Sequence, residues 1–139
     1  MTAAAGAAPM PLHRILGDEG FRLFFPLGAA YAALWPLQWV LVFGLGLPFA
    51  RTTPPTLWHA HEMIFGAFGG ALIGFITTAA PEWTDTPKPQ GRVLFVLAAL
   101  WAGGRAVGFL GADPLGVLGA ACDIGWLLLL TGYLVRTAL

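Results

Sequence analysis

Charge is scarce in this sequence. Of 139 residues only 10% are charged, and seven Lys and Arg balance seven Asp and Glu to a net charge of zero. A water-soluble domain this small needs a polar exterior, and a chain that is 58% hydrophobic cannot build one from so few charges. No run of basic residues is present, which argues against nucleic acid as a partner. The single Cys122 excludes an internal disulfide and any CxxC metal site, and its apolar neighbours make it read as a small buried thiol. The opening stretch, Met1 to Gly20, lacks the basic region, apolar core and cleavage site of a signal peptide. With Pro9, Pro11 and several Ala and Gly, residues 1–20 read as a flexible or interfacial lead-in.

What the chain has in abundance is apolar length. Mean hydropathy is +0.75. A membrane-spanning helix takes about 20 residues, and four blocks approach or exceed that length. They cover residues 24–49, 57–80, 93–110 and 115–135, within a domain of residues 21–139. Breakers fall between them: Thr52-Thr53-Pro54-Pro55-Thr56, then Pro81 to Gly91, then Gly111-Ala112-Asp113-Pro114. The expected architecture is an all-α membrane protein, a bundle of four transmembrane helices. Arg14, Arg22, Lys88, Arg92 and Arg136 fall on one side and only Arg51 on the other, so both termini are expected in the cytoplasm. The setting implied is the bacterial inner membrane, with the lipid bilayer as the principal partner.

Within the blocks, Trp58 and Trp83 flank the second as interfacial anchors, while Trp35, Trp39, Trp101 and Trp126 lie deeper. Pro36 should kink the first helix by removing a backbone donor. Gly66, Gly70 and Gly74 form two overlapping GxxxG steps, which either admit another helix backbone or clear room for a flat macrocycle.

Three charges lie inside the apolar blocks. From the outer ends of their helices Glu62 sits about 8 Å deep, Arg105 about 9 Å and Asp123 about 13 Å. An unpaired Arg105 would cost about 3 kcal/mol by insertion scales, so a pair with Glu62 or Asp123 is expected. Beside them, Trp58-His59-Ala60-His61-Glu62-Met63 packs two imidazoles, a carboxylate and a thioether into the mouth of the second span. On an α-helix His59 and His61 point about 200° apart, whereas His59 shares a face with Glu62 and with Met63. His59, His61 and Met63 are candidate metal ligands, with Glu62 and Asp123 as a polar shell. Histidine with methionine suits copper, and histidine beside a glycine-cleared face suits haem. A bare proton relay through Glu62 and Asp123 is equally compatible with these residues.

The run Trp58-His59-Ala60-His61-Glu62-Met63-Ile64-Phe65-Gly66, followed by Gly74-Phe75 and Thr77-Thr78-Ala79-Ala80-Pro81-Glu82-Trp83-Thr84, resembles the signature of the NnrS family. Phe21-Arg22-Leu23-Phe24-Phe25 resembles that family's opening segment. The resemblance implies a polytopic membrane protein that contains haem and copper and serves nitric oxide metabolism and resistance to nitrosative stress. It implies haem b near the periplasmic side, with His59, His61 and Arg105 as cofactor-binding residues, and copper as a further metal that His59, His61 or Met63 would ligate. Typical members are several times longer, so the chain resembles only their N-terminal third. Glu82 stands where members commonly carry Asn. A homo-oligomer, or a subunit role in a larger membrane complex, would restore the helix count. The rival expectation is a cofactor-free accessory or structural subunit that docks laterally on such a complex.

Overall fold

The computed structural model describes residues 10–45, 53–109, 113 and 116–139, and every element among them is helical. A short turn, α1 (Leu12–Leu16), precedes four long helices. These are α2 (Gly20–Gly44), α3 (Pro55–Thr84), α4 (Arg92–Phe109) and α5 (Val117–Ala138). Of the described helices α2, α3 and α5 are long and apolar enough to cross a membrane. The expected ends of the first and third blocks (49 and 110), the expected start of the fourth (115), Arg51, Thr52 of the first breaker and, apart from Asp113, the expected turn at Gly111 to Pro114 lie outside the described residues.

The first helix starts earlier than its apolar run because Gly20 docks closely on α3. A Cβ on Gly20 would collide with the Thr77 hydroxyl. The next amide, Phe21 N–H, donates to Thr78 Oγ1 at 3.1 Å. The second span also runs past its expected end at residue 80. Pro81 sits inside the last turn, and α3 stops only at Asp85, whose φ of 52° is left-handed. Thr86 N–H then closes the end on Pro81 O at 3.0 Å. Pro36 lies inside α2, followed by a π-helical turn over Val40–Gly44.

Polar contacts tie the two ends of the bundle. At one end Thr53 Oγ1 donates to Asp113 Oδ1 at 2.5 Å. At the other, Gly91 N–H donates to Gly17 O at 2.8 Å, and Lys88 bridges Glu19 and Glu82 at 3.2 Å each. Hydrogen bonds to Glu19 and then Glu82 hold the Lys88 ammonium above its usual value.

The interior is aromatic. Trp35, Trp58, Trp101 and Trp126 are all buried with Phe24, Ile73 and Leu97, while Phe25, Leu34, Leu37, Phe75, Val96 and Leu128 face outward. An apolar exterior over a tightly filled interior is the pattern a bilayer permits, since lipid gives helices no hydrophobic reason to associate and packing contacts must hold them. Trp58 is therefore no interfacial anchor: it is 1% exposed and meets Trp35 edge to face at 4.9 Å. Trp83 is 69% exposed.

The glycine face of α3 packs on α2. A Cβ on Gly66 would enter the Tyr31 ring, and one on Gly70 would stand 3.2 Å from Gly28 Cα. The space is taken by a helix, which leaves no slot there for a macrocycle.

Candidate functional site

One turn of α3 departs from α-helical geometry. Over Glu62–Phe68 the backbone is π-helical. A widened turn of this kind weakens the regular ladder and is frequent at functional sites. At membrane depth no water is present to repair it, so other groups must supply donors. Two do, both from α4. Trp101 Nε1–H donates to Gly66 O at 3.0 Å, and Arg105 Nη1–H donates to Phe65 O at 3.0 Å.

Arg105 then joins the acids. Its Nη2 donates to both oxygens of Asp123, each at 2.8 Å. Its Nε lies 2.7 Å from Glu62 Oε2, an ion pair whose angle falls outside hydrogen-bond range. Gly104 makes the approach feasible, since a Cβ there would stand 2.9 Å from Asp123 Oδ1. Trp126 Nε1–H adds a third hydrogen bond to Asp123 at 3.2 Å. Glu62 receives the Tyr31 hydroxyl at 2.5 Å. The structure thus brings the three intramembrane charges together and attaches α2, α3, α4 and α5 to one point.

His61 completes the network. Its Nδ1 is 3.0 Å from Glu62 Oε1 and its Nε2 is 3.0 Å from Asp123 Oδ2, while the ring stacks on Phe65 at 4.8 Å. A neutral imidazole has one N–H and would set a lone pair against the second carboxylate; the imidazolium supplies both donors. Two carboxylates, one guanidinium and one imidazolium then sum to zero, the condition under which burying them is tolerable.

The two histidines part company. His59 turns toward α2, where its Nδ1 accepts Trp35 Nε1–H at 3.2 Å and its ring lies 5.0 Å from Trp39. It is exposed. Met63, expected to share a face with His59, is 46% exposed while the adjacent Glu62 is buried. His59 is exposed as well, so the residue whose burial departs from that of His59 is Glu62, at the start of the π-turn.

These positions bear on metal binding. A ligating imidazole needs a lone pair on the metal side, and its other nitrogen ordinarily donates to an acceptor. His61 has both nitrogens engaged by carboxylates. His59 has the reverse arrangement, with Nδ1 accepting and the proton left on Nε2. No group of three His, Cys, Asp or Glu suited to a metal ion occurs among the described residues. In this arrangement both nitrogens of His61 and Nδ1 of His59 are already engaged by side chains, and Arg105 is held by two carboxylates.

Sequence spacing missed Tyr31 as a site residue and Trp101 and Trp126 as donors. A usable signal existed for Trp126, which stands three residues after Asp123 and so on the same helix face. Tyr31 gave a weaker one, as one of two tyrosines in the chain.

Comparison with curated proteins and with solved structures gives no match. A family model described as NnrS protein matches residues 15–139, most of the chain, and the idea that only the N-terminal third of a longer pattern is present gains nothing from that match. The stretches it covers include the buried His61–Glu62–Arg105–Asp123 network and the helix junction at Phe21 and Thr78. The chain belongs to the NnrS family.

Proposed function

We propose that this chain is a multi-pass protein of the bacterial inner membrane, four spans with both termini cytoplasmic, serving nitric oxide or respiratory redox metabolism as a charge-locked unit without a metal of its own. In this reading it docks laterally on further membrane helices, of its own kind or of a larger complex. The observation that carries it is His61, bonded through both ring nitrogens to Glu62 and Asp123. A side chain so engaged works as a bridge between acids. Metal capture would require it to leave both partners and would take one positive charge from a buried network now balanced at zero. Intramembrane ionisable groups are costly and mark function by default, and here their cost is met by mutual pairing.

A second reading keeps the haem b, with or without copper, that the family resemblance implies. One observation favours it: His59 stands exposed at the mouth of α3 beside Trp35 and Trp39. That ring is the accessible imidazole of the motif, and moving its proton to Nδ1 would free Nε2 at the cost of the hydrogen bond from Trp35.

An optical spectrum of the detergent-purified chain, oxidised and dithionite-reduced, with metal analysis on the same sample, separates the two. A colourless, metal-free protein is expected. Stoichiometric reduced haem bands, or stoichiometric copper, would overturn the metal-free reading. Loss of those bands in His59→Ala but not in His61→Phe would then assign the ligand.

A further inference from the structure

At the end of the bundle opposite the histidine motif, the loop between α3 and α4 arches over the last turns of α5. Between them lies a cavity of about 540 Å³. Its rim carries Lys88 and Arg136, its wall is apolar at Val93 and Leu128, and Tyr133 and Gln90 complete it. We propose that this cavity binds one anionic phospholipid, the phosphodiester against Arg136 and Lys88 and the start of an acyl chain along Val93 and Leu128.

Four observations lead there. The cavity is lined by two cations and by no acid. Arg136 is exposed and forms no ion pair among the described residues, so it supplies the unneutralised charge, whereas Lys88 is already paired with Glu19 and Glu82 and has one N–H left to offer. The Tyr133 hydroxyl is buried at the wall with no hydrogen-bond partner, and such a group at a bilayer surface is costly unless something polar enters beside it. The cavity also joins a cationic rim to an apolar wall at the end of a membrane-length helix. A free inorganic anion would use only the rim, while an amphiphile uses both. Basic pockets between spans on the positively charged side are where anionic headgroups dock, and the volume lies within the range of small-ligand sites, about 300–1,000 Å³.

The test uses the full chain, purified in detergent and stripped of lipid, then mixed with phosphatidylglycerol, phosphatidylcholine or inorganic phosphate. Native mass spectrometry counts what is retained. One phosphatidylglycerol per chain is expected, with phosphatidylcholine retained weakly and phosphate failing to displace the lipid. Arg136→Gln should lower phosphatidylglycerol retention by roughly tenfold, the effect of one lost charge-assisted contact. Tyr133→Phe should lower it less. Arg14→Gln, a basic residue outside this cavity, should leave it unchanged. Arg136 is exposed, so its variant keeps the fold, and helix content by circular dichroism verifies that. Equal retention of both lipids, unchanged retention in Arg136→Gln, or an equal loss in Arg14→Gln would each overturn the site. Displacement of the lipid by inorganic phosphate would reassign it to a free anion and overturn the lipid assignment.

Discussion

Tyr31 on α2 and Glu62 on α3, 31 residues apart, share a hydrogen bond of 2.5 Å. The phenol is the donor and the buried carboxylate the acceptor, so the contact carries charge assistance as well as shape. It exists because Gly66, one turn beyond Glu62, has no side chain where the Tyr31 ring lies. Tyr31→Phe should therefore destabilise the bundle by about 1.5–3 kcal/mol, the usual worth of a hydrogen bond to a charged group. Gly66→Ala should destabilise it by pushing the ring off Glu62. In the Tyr31→Ala background the same Gly66→Ala change should cost much less, because its obstacle is gone. Reversible unfolding in mixed micelles, run as a double-mutant cycle, measures the coupling; strict additivity would refute the steric account.

Asp123 faces two cations and one indole. Asp123→Ala leaves Arg105 and His61 with a single acid between them, and a buried pair broken from one side typically loses about 3–5 kcal/mol. Pairing Arg105→Met with Asp123→Leu leaves Glu62 and His61 as a balanced pair. That double variant should recover a large share of the loss, since well-packed apolar residues often replace buried ions at little cost. The same unfolding assay reads both. A double variant as unstable as Asp123→Ala would show that the Arg105 bonds to Phe65 O and the π-turn matter more than charge balance.

Lys88 gives a pH dependence outside the membrane. Its ammonium is held above the usual 10.5 by Glu19 and then Glu82. A cation whose folded value is raised adds stability that is complete below the unfolded value and fades as pH climbs through the folded one. Wild type and Lys88→Gln should thus differ in midpoint temperature at neutral pH and converge in strong alkali. The gap should be small and shrink with salt, because the site is open to solvent. A gap that widened with pH would reverse the sign and exclude the assigned pair.

The long apolar helices were readable because membrane helices announce themselves by length and composition. Residues 24–49 and 57–80 anticipated most of α2 and α3. Depth alone also placed Glu62, Arg105 and Asp123 at one level. The pairing of His61 was not readable, since it needs a crossing between α3 and α5 that no local pattern encodes. Nor was the π-turn. Its maintenance rests on donors from Trp101 and Arg105, residues 35 and 40 positions away. Trp58 misled for a related reason: a tryptophan at a helix mouth has the composition of an anchor, and only the arrival of Trp35 and Phe43 turns it inward.

The π-turn over Glu62–Phe68 also makes chain length matter here. Each π-type hydrogen bond reaches five residues back where an α-helix reaches four, so the turn takes in one residue more than α-helical winding needs over the same span. That residue is slack: losing one from the second half of the turn would let the ladder close to α-helical geometry with the flanking turns near their present phase. The carbonyls of Phe65 and Gly66 would then be drawn back toward backbone amides and away from Arg105 and Trp101, so it is the spare residue, as much as the charges, that couples α3 to α4.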